Sequence, residues 1–504
     1  MTTSVSLFPL LLPVALTLTG GLATLAAEPF LAAERKHDWL PWTAAIAVLA
    51  AIIALFAVDT GHVHGLYAMD SARVWLCGGI LGATLIALGG LQASLRRDAF
   101  PGGEPHALLL FAACGAQLMV MATDWLALFV GVELASLAVY ALVGLRRQHA
   151  ESGEGLYKYF VMGSVFSAVL LYGVAMTYGA TGSTHVGAAV QSGSLGLWFF
   201  GQALILVALL FKVGAFPFHF WSPDAYTGAP VAITGFMGAV IKVGGFAAIG
   251  AQWLALIVVA NGGGVPADQV LFLDRGIELT VLPGWLSVLQ QIVLVLAVLS
   301  LWVGHFSGLG QRSARRLIAY SSVANAGYLL LALALPAAGS VVSLGSLWVY
   351  LVAYAIATAG TLTALAWLAD HDDRHDDLDH LAGQCRRDPF TGLVLTVFLA
   401  STAGLPITIG FIGKFLILSD LVAKGWLVIA ILAMVMALIG AAYYLGLLAT
   451  LWGSESKREP APARSALAVA ALAVAALAIF ALCWPGWLVP GQMPGNPKVA
   501  AVSP

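Results

Sequence analysis

The chain has 504 residues, 60% of them hydrophobic and only 10% charged, with a formal net charge of −2. Soluble domains carry about 25% charged residues, so this composition excludes an ordinary soluble enzyme and indicates an all-α polytopic membrane protein in a lipid bilayer. There is no basic cluster with interleaved aromatic residues, so no nucleic-acid partner is expected.

The amino terminus, MTTSVSLFPLLLPVAL, lacks a basic stretch and a small-residue cleavage pattern, and reads as a retained first span. A helix needs about 20 apolar residues to cross the hydrocarbon core. On that rule the runs near 5–27, 39–58, 70–93, 106–122, 125–145, 156–180, 195–220, 229–259, 284–306, 315–335, 343–369, 390–422, 425–452 and 465–487 predict about fourteen spans. The expected organisation is one membrane domain over 1–504. Three N-terminal helices (1–105) precede two five-helix repeats (106–259 and 284–452), and a last helix (465–487) follows.

Orientation follows from the basic residues, which collect in cytoplasmic connections. Of the 23 lysines and arginines, Arg73, Lys158, Lys212, Lys242 and Lys414 fall inside or at the ends of spans. Only Arg275, Lys424 and Lys498 fall on the side that holds both termini; the other 15 lie in connections after odd-numbered spans. Both termini are therefore expected on the non-cytoplasmic side of a bacterial plasma membrane.

Two spans exceed the length needed to cross and carry a proline mid-run, Pro217 in the seventh and Pro406 in the twelfth. Proline removes a backbone donor and clashes with the preceding turn. A pair of interrupted spans at corresponding places in two halves is a sequence pointer to a transport site. Lys212 stands five residues before one proline and Lys414 eight after the other. The blander alternative is a pair of proline kinks with lysines reaching for an interface.

An ionisable residue inside a span costs at least about 2.5 kcal/mol and marks a functional site by default. Lys212, Lys242, Lys414 and Glu133 are the candidates here. Glu133 lies nine residues after Asp124, or about 13 Å along its helix, near the middle of a core about 30 Å thick. A lysine in low dielectric gives up its proton readily, and a carboxylate brought close holds the proton on. A Glu133–Lys212 pair would thus act as a proton switch, though a purely structural ion pair is the alternative. Lys158, near the end of its span, is a weaker candidate that could simply snorkel. His219, two residues past Pro217, could relay protons at neutral pH or be a hydrogen-bonded structural residue. His305 reads as an interface residue. The run HDDRHDDLDH (371–380) reads as a solvated acidic loop, and the four scattered cysteines give no metal site.

Four motifs, LALFVGVELASLAVYALVG, FKVGAFPFHFWSPDAYTGAP, RRLIAYSSVANAGYLL and AGLPITIGFIGKF, together resemble the antiporter-like membrane subunits of respiratory complex I. The resemblance runs from about residue 106 to 452. PDAYTGAP and the lysine of GFIGKF favour one of three paralogues, and the absence of a long lateral helix argues against the largest. The resemblance implies fourteen helices, inverted five-helix repeats with helices 7 and 12 broken, and a proton path at mid-membrane. In that path Glu133 and Lys212 would be coupled, Lys242 would be the central relay and Lys414 would serve the second half. It also implies paralogous membrane subunits as partners. No cofactor is expected in this chain; NADH, FMN, iron–sulfur clusters and quinone would belong to the parent complex. Where the family often has histidine in SSxxHxGY, this chain has Asn325, which cannot titrate. Alternative functions are a cation/proton antiporter or hydrogenase-linked subunit, and a non-pumping scaffold.

Overall fold

The structure, a computed structural model, describes residues 7–58, 61–63, 65–97, 100, 102–265, 273–274, 276–368, 377–453 and 466–481. Inside hydrocarbon, a helix satisfies every backbone group within its own segment, and the apolar runs fold accordingly. Among the described residues, eleven helices are long and apolar enough to cross a membrane. Gly345–Leu368 and Val231–Ala260 form the centre, with 94% and 83% of their apolar windows buried. Ala150–Thr181 and Leu427–Gly453, at 28% each, run along the outside.

The sequence predicts three crossings more than these eleven. They fall on Ala314–Leu331, which opens with Arg315 and Arg316, on the pair Pro389–Ala403 and Ile409–Ala423, and on Ala466–Ala481. A 15-residue helix rises only about 22 Å, short of the roughly 30 Å core. Pro389–Ala403 and Ile409–Ala423 therefore reach across only together. Residues 482–487 of the expected last span lie outside the described residues.

The all-α expectation is amended by two short antiparallel ribbons. Gly61–Val63 pairs with Tyr67–Met69, and Ile277–Leu279 pairs with Ser340–Val342. Both lie in connections between spans, where backbone groups released from helices pair with one another.

Two features place Glu133. Asp124 caps helix Trp125–Val143, its Oδ1 accepting from Leu126 N at 2.8 Å and Ala127 N at 3.2 Å. Gly131 lets that helix touch Glu104–Met121 backbone to backbone, since a Cβ there would lie 2.9 Å from Gly115 O.

The connection after helix Ala150–Thr181 folds back on the same cap. Trp125 N donates to Thr184 O at 2.8 Å, and Thr184 Oγ1 donates to Asp124 Oδ2. His185 beside it is 4% exposed, and its Nδ1 accepts from Gly187 N at 3.2 Å. Burial pushes the His185 imidazole below its ordinary value, and the Asp124 carboxylate draws it part of the way back. A lowered folded-state value means the folded form resists protonation. The stability this residue contributes is present above about pH 6.5 and is lost as pH falls through the folded value. Hydrogen exchange at Gly187 is expected to quicken between pH 7 and pH 5.5 in the native chain. In His185→Gln that pH dependence should disappear once the intrinsic exchange rate is corrected for.

The two glycine- and proline-bearing stretches are built alike. Leu195–Val213 ends on Gly214 at φ 66°, passes a cis Phe216–Pro217 bond, and resumes as Ser222–Gly228. Pro389–Ala403 ends on Gly404 at φ 83° and resumes at Ile409, where Thr408 accepts from Phe411 N. Only glycine takes those left-handed backbone angles without steric cost.

Candidate functional site

A helix that stops inside a protein leaves its last carbonyls without partners. Lys414 meets that need at the second interruption, its Nζ donating to Thr402 O at 2.8 Å and Ala403 O at 3.1 Å. The negative end of the helix dipole favours a cation there. The ammonium also lies 5.1 Å from the centroid of the Tyr328 ring, within cation–π range.

Lys212, one residue before the end of its helix, has a different partner. Its Nζ donates to Ser136 Oγ, which in turn donates to Val132 O. Tyr140 and Tyr159 each hold their ring centroid 5.9 Å from the amine. Ser136 follows Glu133 by three residues and so shares its helix face. Ser167 donates to Glu133 Oε1 from the neighbouring helix. Ser167 and Lys212 line one small cleft, together with Val132, Phe166, Leu170 and Phe211. Glu133 and Lys212 thus each hold a hydroxyl partner, and among the described residues no ion pair joins them.

Lys242 follows directly on a π-helical stretch, Met237–Ile241. The wider turn of such a stretch shifts the register of the residues that come after it. Lys242 Nζ donates to the Ser322 carbonyl and lies 5.5 Å from the Tyr354 ring centroid. The Ser322 hydroxyl is 3.2 Å from Tyr226 OH.

Between Lys242 and Lys414 runs a buried polar cluster that sequence reading did not assemble. Asn325 is 1% exposed; its Nδ2 donates to Ser321 O at 2.8 Å, and its Oδ1 accepts from Tyr350 OH. Ser321 Oγ is hydrogen-bonded to Tyr444 OH. His305 is corrected here: at 1% exposed it is not an interface residue but lies between Tyr328 and Tyr443. Isolated serines and tyrosines in apolar spans carry no distinguishing spacing, so nothing in the chain marked them.

The weaker candidates stand apart. Lys158 donates to Glu154 at 2.5 Å and Asp224 at 2.7 Å, with Arg316 3.8 Å from the same aspartate, in a partly exposed ion cluster. His219 lies in the first interruption, its ring 5.7 Å from that of Phe216, and its buried Nδ1 has no hydrogen-bond partner among the described residues. Of the run 371–380, residues 371–376 lie outside the described residues.

A bundle of apolar helices enclosing three buried lysines, hydrogen-bonded among the described residues to hydroxyl and carbonyl oxygens, defines a polytopic helical membrane protein. The sequence profile described as "NADH:quinone oxidoreductase/Mrp antiporter, TM" matches residues 122–261 and 277–440. NADH-quinone oxidoreductase subunit N of Maricaulis maris is 34% identical, over 95% of each chain. A chain of respiratory complex I from Thermus thermophilus superposes with a TM-score of 0.75 at 28% identity, covering 95% of this chain and 97% of that one. A chain of the archaeal membrane-bound sulfane sulfur reductase has the same fold, with a TM-score of 0.75 at 22% identity over 94% and 93%. The chain belongs to the NADH:quinone oxidoreductase/Mrp antiporter family and is similar to subunit N proteins within it.

Proposed function

We propose that the chain is the proton-translocating membrane subunit of an NADH-quinone oxidoreductase, passing protons through Glu133, Lys212, Lys242 and Lys414. Lys158, His219 and Asn325 serve as accessory groups. The observation that carries this reading is that the three lysines are each at least 94% buried, and among the described residues none forms an ion pair with a carboxylate. An unneutralised ammonium in a low-dielectric interior is expensive to keep, so such a group is suited to gaining and losing protons. Moving one charge against 100 mV takes about 2.3 kcal/mol, a scale that changes in a buried amine's surroundings can match.

In this reading the chain crosses the bilayer fourteen times, with 106–259 and 284–452 as inverted repeats and helices 7 and 12 broken. Both termini face away from the cytoplasm. Redox energy reaches it from partner subunits that handle NADH, FMN, iron–sulfur clusters and quinone. Paralogous antiporter-like subunits adjoin it laterally.

Glu133→Gln separates a relay from a scaffold. Glutamine can still accept from Ser167, so the complex should assemble, while pumped protons per NADH oxidised fall by about tenfold. If the variant assembles poorly but pumps normally in whatever complex forms, Glu133 only holds helices together.

A further inference from the structure

We propose that His305 carries protons in the second half of the chain, between Lys414 and the near end of helix Gly284–Leu309; this rests on the reading of the chain as a proton-translocating subunit. The ring is enclosed, and both of its nitrogens face hydroxyls. Nδ1 lies 3.2 Å from Tyr443 OH, and Nε2 lies 3.5 Å from Tyr328 OH. Tyr328 is also the residue whose ring faces the Lys414 ammonium. Four residues of helix separate His305 from Leu309, about 6 Å of rise. The imidazole therefore stands between a buried amine and a membrane face.

The surroundings are shaped to hold an imidazole. A Cβ at Gly440 would fall 2.5 Å from His305 Cε1 and 2.9 Å from Nδ1, so only glycine leaves room for the ring. A Cβ at Gly304 would fall 2.4 Å from Ala324 N, so helix Gly284–Leu309 meets Ala314–Leu331 backbone to backbone beside the histidine. Asn325 cannot take the role, because a carboxamide does not titrate and both ends of this one are already engaged. The groups facing the ring are the phenols of Tyr328 and Tyr443, with the Lys414 ammonium behind Tyr328.

Imidazole accepts a proton at one nitrogen and releases one from the other. The proton leaves the Lys414 ammonium, which becomes the neutral amine, and is taken up at Nε2. An equal proton then departs from Nδ1 by way of the Tyr443 hydroxyl to water, and the ring is neutral again. Two positive charges in one apolar space repel, so charge on Lys414 and charge on His305 exclude each other. That exclusion keeps the transfer sequential.

The test uses the assembled complex in sealed vesicles, reading pumped protons per NADH oxidised across pH 5.5–8.5. His305→Gln keeps a hydrogen-bonding side chain without a titratable group. It is expected to lower the ratio by about tenfold. Adding Asn325→His to that variant should recover most of the loss. Unchanged pumping in His305→Gln overturns the proposal. So does a loss that is not recovered by Asn325→His, since that is the mark of a structural residue. If His305→Gln does not assemble, Tyr443→Phe carries the test, removing only the hydroxyl at Nδ1; native pumping there likewise overturns it. Lys242→Ala run alongside separates the two levels. Normal pumping in Lys242→Ala overturns the functional reading itself, whereas loss there with normal pumping in His305→Gln overturns the role of His305 alone.

Discussion

Lys242→Ala in the assembled complex is expected to lower pumped protons per NADH oxidised on the order of a hundredfold, the scale on which removal of a positioned proton carrier acts. Lys242 is 4% exposed, at the end of the π-helical stretch, with the Ser322 carbonyl as its hydrogen-bond acceptor. Alanine removes the amine and leaves that carbonyl without its charged donor, a hydrogen bond worth about 1.5–3 kcal/mol. Lys242→Arg separates the two losses. A guanidinium keeps a charge and donors but does not release its proton at physiological pH. Lys242→Arg should therefore restore assembly without restoring pumping. Both quantities come from one preparation, by subunit content of the purified complex and by dye quenching in sealed vesicles. Pumping by Lys242→Arg at the native ratio would remove Lys242 from the relay.

Arg73→Ala is expected to be the most damaging single substitution for stability, by about 3–5 kcal/mol, because it strands a buried carboxylate. Arg73 Nη1 is 2.6 Å from Asp70 Oδ2, with the two side chains 0% and 2% exposed. Arg73 Nε also donates to Val120 O at 3.1 Å, tying the start of helix Ser71–Arg97 to the end of Glu104–Met121. Asp70 in turn accepts from Leu273 N at 2.6 Å, and Asp274 accepts from Ser71 Oγ at 2.6 Å. This ion pair thus clamps the N-terminal helices to the connection ahead of helix Gly284–Leu309. Thermal unfolding of the purified complex should show the loss. The double replacement Asp70→Leu with Arg73→Leu should cost clearly less than Arg73→Ala, since no unpaired charge remains. Equal losses would mean that packing, not charge, holds this junction.

What could be read in the chain and what could not divides along a physical line. Lys212, Lys242, Lys414 and Glu133 stood out because charge in hydrocarbon is costly, and a cost of that kind is visible in one dimension. The glycine–proline interruptions at 214–217 and 404–406 were visible for a similar reason, since each residue type carries its own backbone constraint. Ser136, Ser167 and Ser322 were not visible, because a hydroxyl in a membrane helix can return its hydrogen bond to its own backbone and leave no pattern. His305 was misread because only four residues separate it from a helix end. Its burial depends on helices Ala314–Leu331 and Leu427–Gly453 packing over it, through Gly304 and Gly440.

By itself the sequence determined that this protein lies in a membrane as apolar helices, which residues carry unusual charge there, and where glycine and proline punctuate two apolar runs. Those properties belong to single residues or short runs, and hydrocarbon enforces them locally. Only the tertiary structure decided what each charge touches: hydroxyls for Glu133 and Lys212, a serine carbonyl for Lys242, and the open end of a broken helix for Lys414. Partners 76, 80 and 12 residues away are chosen by how helices pack. Packing is a property of surfaces brought together, and no local run of residues encodes it.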